Sequence, residues 1–414
     1  MNNHEFFEII SRVEFEALLN SFAAVETEKV SISDACGLVL GEDIVSPEDL
    51  PPANRSCMDG YAVNARDAFG ATEGNPTYLE CSATLKVDEN PDFELLPGEC
   101  AAIPTGGTLP DGADAVVMVE HTQELGSGTI EIRKSSAPGE HTMLKGEDVA
   151  KNDTVFKAGH KVRFQDVGLL AALGIKKVAI HRKPRVGIIS TGDELVEIDS
   201  PQKVGTIRDV NSHTLRCLVN DAGARAVNYG IVRDELDKLE STLAQAIAEN
   251  DLVLLSGGSS VGMRDLTVQA IESMDDSEIL AHGVAISPGK PTILGRAGSK
   301  PVLGLPGQVT SVQVVMLSLV VPFIRQLMGQ KDAFSDTERT LVQAELGRNT
   351  VSKPGREDYV RMKLTSREGQ LPLAKPIYGK SGLLKTMIQA DGLMIIPADT
   401  EGFYAGNTVS IWKI

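Results

Sequence analysis

The sequence predicts a multidomain chain that joins an α/β domain, built on a doubly wound parallel sheet, to a small β-rich domain and a C-terminal β-barrel or sandwich. Three observations predict it. The 414 residues exceed what one hydrophobic core organises. Between 181 and 330, four short apolar runs (VGIIS, AVNYGIV, LVLLS, VLGLP) alternate with stretches of helical spacing, the rhythm of βαβ units covered on both faces. At 51–140 and 331–414, short β-like runs alternate instead with Gly/Pro turns.

Taken in order, residues 1–50 open with MNNHEFFEIISRVEFEALL, which reads as an amphipathic helix because acids are spread among its apolar residues and no basic leader precedes them. SISDACGLVLGEDIVSPEDLPP then forms a strand-like stretch closed by a Pro pair. Residues 51–140, with AAIPTGG and AVVMVEHTQEL, form the small β-rich domain, and residues 141–180, with the helical FQDVGLLAALGI, return to the first zone. In the α/β zone, 181–330, Leu215, Leu218, Val219 and Ala222 repeat at i, i+3, i+4 and i+7, with Gly223 as a C′ glycine. Leu236, Leu239, Leu243 and Ile247 mark a second helix with Asp234 as its N-cap. YVRMKL, LMIIPA and TVSIW supply strands in 331–414.

A formal charge of −17 disfavours nucleic acid and anionic membranes, and 4% aromatics argue against base-stacking platforms. The five cysteines, Cys36, Cys57, Cys81, Cys100 and Cys217, lack CxxC spacing and fit reduced thiols of a cytoplasmic protein. No segment approaches the ~20 apolar residues that cross a bilayer.

Ligands of open parallel sheets bind beyond the carboxyl ends of the strands, so the loops after the four apolar runs carry the candidates. These are Thr191-Gly192-Asp193-Glu194, Arg233-Asp234, Gly257 to Gly262 with Arg264 and Asp265, Pro288-Gly289-Lys290-Pro291, and Gly307 to Ser311. The glycine run suits close approach of backbone N–H groups to an anion, or simply a tight connection; neither GxxxxGK[ST] nor GxGxxG is present. Asp193, Glu194, Asp234 and Asp265 serve as helix caps or, as four acids on one edge, as oxygen ligands for Mg²⁺ beside a phosphate. Lys290 is a solvated surface lysine or a cation on a stiff turn, and Arg356 and Lys380 lie on further tight turns.

Seven motifs in order along essentially the whole chain resemble the molybdopterin molybdenumtransferase family, of the MoeA and gephyrin E-domain type. They are SCMDGYAV at 56–63, PTGG at 104–107, GED at 146–148, STGDEL at 190–195, SGGSSVG at 256–262, PGKP at 288–291 and GLPG at 304–307. The resemblance implies an elongated homodimer with a MogA-like α/β domain and a C-terminal β-barrel, the cleft lying between sheet and barrel of opposite protomers. It implies hydrolysis of adenylylated molybdopterin with Mg²⁺ and transfer of molybdate onto the dithiolene. A MogA-type adenylyltransferase is the partner it suggests. By that analogy Asp234 and Asp265 would hold Mg²⁺, with Asp193 and Glu194 beside nucleotide or pterin. Gly257, Gly258 and Ser260 would line the adenylate. Lys290, with Pro291 behind it, Ser311, Arg356 and Ser381 would cradle molybdate, and Asp59, Thr105 and Asp148 would reach the cleft from another side. Ser287, Gln308 and Val309 depart from the family's KPGKP and GLPGNPVS, and Arg208 flanks Asp209 where the family often has tyrosine. The departures keep a tungstate-inserting paralogue and a non-catalytic molybdopterin-binding scaffold as alternatives; a DNA-binding regulator, lacking any basic helix, stands last.

Overall fold

Ser11 opens the first helix, α1 (Arg12–Leu19), with a capping box: Glu14 N donates to Ser11 Oγ at 3.2 Å, and Ser11 N donates to the Glu14 carboxylate at 2.8 Å. Phe15 and Leu19 are fully buried, so the helix docks by one stripe. The computed structural model describes residues 9–201, 203–257 and 261–414, without the side chains of 261–265. It divides into two units, Lys29–Val178 and Met1–Glu28 with Ala179–Ile414.

In the larger unit the four apolar runs become parallel strands. The sheet is built from β1 (Arg185–Thr191), β2 (Arg225–Val232), β3 (Leu252–Gly257), β4 (Ser277–His282), β5 (Ile293–Ala297) and β6 (Lys300–Leu305), in the order β2-β1-β3-β6-β5-β4. β2, β1, β3 and β6 run parallel. Leu252 to Ser256 are each 2% exposed or less, as a central strand covered on both faces requires. Helices α2 (Asn211–Asp221), α3 (Leu236–Glu249) and α4 (Val261–Glu272) cover the sheet. Leu239, Leu243 and Ala246 of α3 pack with Val253, Leu255 and Ile293.

Three features differ from the sequence reading. β5 extends the sheet antiparallel to β6, and β4 runs antiparallel to β5 at the edge; SEILAH lacks a continuous apolar run because β4 is an edge strand, and the buried ILGRA is interrupted by Gly295 and Arg296. The N-cap of α3 is Glu235 rather than Asp234, and no side chain caps it, because Asp234 is engaged across the loop described below. Third, α5 (Val309–Leu327) is 19 residues long with a mean hydropathy of 1.5, long and apolar enough to cross a membrane. It packs inside the unit instead: Val312, Val315, Met316, Leu319, Phe323 and Ile324 are fully buried. Its π turn at Met316–Val320 lies just before Pro322, where a missing N–H interrupts the helical ladder.

The C-terminal strands settle the choice between barrel and sandwich. β7 (Leu341–Leu346), β8 (Glu357–Arg367), β9 (Gln370–Pro376), β10 (Gly392–Ile396) and β11 (Thr408–Lys413) close in the order β8-β9-β7-β11-β10 and back to β8. Met362, Ala374, Met394, Val409 and Ile411 fill the interior, and closure removes the sheet edges.

The smaller unit centres on a six-stranded sheet ordered Ala115–Met118, Gly60–Val63, Glu99–Ile103, Thr77–Thr84, Thr129–Ile132 and Thr122–Glu124. Apolar clusters cover both faces, one around Val63, Leu79 and Ile130 and one around Ala62, Leu95 and Val116. Gly60 is demanded by pairing, since a Cβ would lie 2.0 Å from Val117 O. All five cysteines are free; Cys81 and Cys100 face each other across neighbouring strands, and burial pushes the Cys100 thiol up to about 12.

In the same unit, helix Phe164–Ala172 is opened by Asp166, which is 3% exposed. Its carboxylate accepts Arg163 N at 2.8 Å and Arg163 Nη2 at 2.8 Å, and meets His160 Nε2 at 2.7 Å. Burial pushes this carboxyl up, but the donors outweigh it and bring it from 3.8 down to about 2. A depressed acid stabilises the fold fully above pH 3.8 and ceases to do so as pH falls towards 2. Asp166→Asn is therefore expected to destabilise this unit by about 2 kcal/mol at pH 7 and to remove its share of the loss between those values, as read by urea unfolding across the acid range.

Candidate functional site

At the carboxyl end of β1 the chain turns through Gly192, φ +149°. A Cβ there would stand 2.8 Å from Glu194 Oε2, so the glycine leaves room for the Glu194 carboxylate to fold back over the turn. Asp193 and Asp234 cross-brace the loops after β1 and β2. Asp234 N donates to Asp193 Oδ1 at 3.3 Å, and Asp193 N donates to Asp234 Oδ2 at 3.4 Å. Arg233 Nη1 donates to Asp193 O at 2.5 Å. Burial raises the Asp234 carboxyl above its usual range, and the nearby charges of Asp193 and Glu194 add to the shift. Asp234 Oδ1 is buried and has no hydrogen-bond partner among the described residues. A buried carboxylate oxygen left open is an exception to the usual pairing of buried polar groups.

Two adjoining cavities follow the same sheet edge. One of about 320 Å³ is lined by Thr191, Glu194, Arg208, Asp209, Asn211 and Gly382 among others, and one of about 210 Å³ by Thr267, Pro291 and Ser311. Gly257, Gly307 and Gln308 belong to both walls. Asn211 ties the walls together, its Nδ2 donating to Ser256 Oγ at 2.8 Å and to Gly307 O at 3.0 Å. Asp209, 4% exposed, accepts Ser190 Oγ at 2.8 Å and Ser212 N at 3.1 Å, so it fixes β1 to the start of α2.

Donors gather on the opposite side. Ser311, 6% exposed, sits in the first turn of α5, where backbone N–H groups favour anions. Thr310 N and Oγ1 donate to Ser381 O at 3.0 and 2.7 Å, which seats the 379–382 loop of the barrel domain on the helix start. Arg361 holds that loop from behind, with Nη1 to Thr386 Oγ1 at 2.8 Å and Nη2 to Gly379 O at 3.0 Å. Lys290 is exposed, with no ion pair among the described residues. Its turn passes through Gly289, φ +130°, where a Cβ would lie 2.7 Å from Val315 Cγ2. Ile286–Ser287, just before the turn, pairs in parallel with Glu357–Asp358. Arg356 stands at the head of that strand, with Nη2 3.1 Å from Asp358 Oδ1 and Nε buried without a partner.

Comparison with known proteins assigns the family. Residues 10–174 match the MoeA N-terminal region (domain I and II), 187–326 the model described as "Probable molybdopterin binding domain", and 343–414 the MoeA C-terminal region (domain IV). Molybdopterin molybdenumtransferase 2 of Mycobacterium tuberculosis is 34% identical over 389 residues, covering 93% of this chain and 94% of that protein. The chain belongs to the MoeA family. Molybdopterin molybdenumtransferase of Haemophilus influenzae is 32% identical over 393 residues, 93% of each chain. The crystal structure of the molybdopterin biosynthesis MoeA protein of Pyrococcus horikoshii OT3 aligns with a TM-score of 0.82 at 31% identity, over 98% of this chain and all (100%) of that one.

Against the MoeA motifs, the larger unit joins Asp193 to Asp234, places Glu194 in the wall of the larger cavity and Pro291 and Ser311 in that of the smaller, with Gly257 in both; Lys290, Arg356 and Ser381 are not among the lining residues. Gly382 of the barrel domain lines the larger cavity, next to Ser381, whose carbonyl accepts Thr310 of the same chain. Gly258 and Ser260 lie outside the described residues; Asp265 lies on α4, but its side chain does too. Among the described residues no group of three or more His, Cys, Asp or Glu side chains makes a metal cluster. In the smaller unit Thr105 N and Oγ1 both donate to Asp59 Oδ1, at 2.7 and 2.9 Å, and the two bonds lower the Asp59 carboxyl. Asp148 is exposed on a separate turn, its N donating to Leu50 O. Sequence reasoning passed over Asp209, Asn211 and Arg361 as site residues. Two polar residues two apart at the head of α2 were the available signal for the first pair; Arg361, inside a strand pattern, gave none.

Proposed function

We propose that the chain is the molybdopterin molybdenumtransferase of molybdenum cofactor biosynthesis, inserting molybdate into adenylylated molybdopterin with release of AMP. One observation carries the reading beyond family membership. Two cavities that share Gly257, Gly307 and Gln308 have Glu194, beside the Asp193–Asp234 pair, in the wall of one and Ser311, with Pro291 next to Lys290, in the wall of the other. That separation of acids from anion donors suits a substrate with a phosphate group at one end of the site and an oxyanion at the other.

Mg²⁺ suits the acid side in this reading, because the open Asp234 oxygen offers one carboxylate ligand and leaves coordination to be completed by substrate phosphates. Asp234 and, by family analogy, Asp265 would hold it, and its charge would offset that of the phosphoanhydride. Gly257 keeps the adenylate side of the wall free of side chains. Ser311, Lys290, Arg356 and Ser381 orient molybdate, with Arg356 contributing a fork of donors and Lys290 a point charge. We further propose a homodimer in which Asp59, Thr105 and Asp148 complete the cleft, a MogA-type adenylyltransferase supplying the substrate, and a cytoplasmic location in keeping with five free thiols. Domain boundaries near 50, 140, 180 and 330 belong to the same reading.

Purified protein incubated with adenylylated molybdopterin, Mg²⁺ and molybdate is expected to release AMP and to yield cofactor that reconstitutes a molybdoenzyme. Absence of AMP at every molybdate concentration refutes the proposal. Lys290→Ala is expected to raise KM for molybdate about 10- to 100-fold, as loss of a charge-assisted hydrogen bond implies, while KM for the adenylylated pterin stays near wild type.

A further inference from the structure

The loop that carries Lys290 is held between two segments remote in sequence. On one flank Ile10 forms a parallel bridge with Val284: Ile10 N donates to Gly283 O at 3.3 Å and Ala285 N donates to Ile10 O at 2.8 Å. Ile9 lies over Gly283, φ +115°, where a Cβ would meet its Cγ1 at 3.4 Å. On the other flank Ile286–Ser287 pairs with Glu357–Asp358, and Glu357 N donates to Ala285 O at 2.9 Å. The loop is closed across its own base by Val284 N to Lys290 O at 3.0 Å, Gly283 N to Thr292 O at 2.9 Å and Thr292 Oγ1 to Gly289 O at 2.7 Å.

Among the described residues, one ion pair joins the two flanks. Arg12 Nε donates to Glu357 Oε2 at 2.8 Å, and the two side chains are only 19% and 17% exposed. The same Glu357 oxygen accepts Tyr359 OH at 3.0 Å, from a tyrosine 3% exposed, and Arg12 also pairs with Glu16. Shielded charges of this kind are weakly screened by salt and costly to break singly. The docking of α1 does not require an arginine at this place, since Phe15 and Leu19 supply its buried stripe.

We propose that Arg12 is a positioning residue for the oxyanion pocket: by locking the Ile10 segment to Glu357, it fixes the spacing between Lys290 in the clamped loop and Arg356 at the head of β8. The proposal rests on the reading of Lys290 and Arg356 as molybdate ligands. Arg12 touches neither substrate, so its effect is confined to how well the two cations meet one anion. The oxyanion end of the site senses the N-terminal segment, and the acid end does not.

Arg12→Gln is expected to raise KM for molybdate about tenfold, leaving kcat and KM for adenylylated molybdopterin within about twofold of wild type. Glu357→Gln should match it, and the double variant should be no worse than either single change, as for two ends of one interaction. Arg12→Lys keeps the charge without the fork and should recover part of the loss. Hydrogen exchange on the intact protein reads the clamp directly, with faster exchange expected at Val284, Ala285 and Glu357 in Arg12→Gln. Unchanged exchange, equal rises in both KM values, or faster exchange with an unaltered molybdate KM would each overturn the proposal. If wild type releases no AMP, the transferase reading falls by itself, and calorimetric tungstate binding then replaces KM. A tenfold weaker Kd in Arg12→Gln supports the clamp; a Kd within twofold, or no tungstate binding by wild type, rejects it.

Discussion

Asp234→Asn is expected to lower kcat/KM about 10²- to 10³-fold, the several kcal/mol that a metal-held charge supplies to phosphoryl chemistry, without loss of thermal stability. The two halves of this expectation come from one observation. Asp234 is pressed by burial, Asp193 and Glu194 into an environment that disfavours its ionised form, and one of its oxygens is buried and unpartnered. The folded-state carboxyl is raised above 3.8, so folding holds the proton more tightly than the unfolded chain does. Stability is consequently lost as pH rises from 3.8 through the raised value, and the penalty persists above it. Asparagine removes that penalty because it never ionises. The variant should therefore melt at or above the wild-type temperature at pH 7 and lose this advantage below pH 3.8. A group that opposes folding and serves turnover marks a functional position. Steady-state AMP release with Mg²⁺ varied, beside melting curves at both pH values, checks it. Wild-type kcat/KM in the variant excludes Asp234 from the chemistry, and a large drop in melting temperature shows that its role is structural.

How much of this was readable from sequence depends on whether the signal was local. LVLLS is buried on both faces and announced a central parallel strand, and the glycine at 223 marked a helix end that the structure places there, φ +98°. The acids at 193, 194 and 234 were legible because strand ends of a parallel sheet are where ligands bind. Asp234 was nevertheless given the ordinary task of capping α3. Only the reciprocal bonds with Asp193, across 41 residues, reveal why it is elsewhere. β4 escaped notice because a half-covered edge carries no continuous apolar run, and β5 because Gly295 and Arg296 interrupt its short apolar run. The same holds for the site's frame. Thr310 bonded to Ser381 O, Arg361 behind the 379–382 loop and Arg12 paired with Glu357 are contacts between residues whose local patterns are unremarkable. Sequence periodicity reports which face of an element is buried, and says nothing about which distant polar group will lie opposite.

Gly257→Ala is expected to cost about 2–4 kcal/mol of stability in the larger unit and to reduce turnover with it. Gly257 ends β3 in register with Thr191 of β1. A Cβ on it would lie 2.1 Å from Thr191 O and 2.3 Å from Thr191 Oγ1. The hydroxyl could rotate away, but the carbonyl oxygen belongs to the backbone of β1, so relief requires parting two strands at the end where both cavities share Gly257 as wall. Close-packed interiors transmit such a shift instead of absorbing it, and the loop displaced first is Thr191 to Glu194, which carries the acids. A further alanine in the same unit separates strain from chemistry. At Gly382 a Cβ meets nothing within 4 Å, so Gly382→Ala should keep stability within about 0.5 kcal/mol. Gly382 lines the larger cavity, and Gly382→Ala should thus affect turnover only through the space its methyl group removes. Denaturant unfolding followed by tryptophan emission from Trp412, whose strand lies in the same unit, reads the stability difference, and AMP release reads the other. Were Gly257→Ala to melt and turn over like Gly382→Ala, the strands would have to part without cost, and the rigid wall on which both ends of the site depend would not exist.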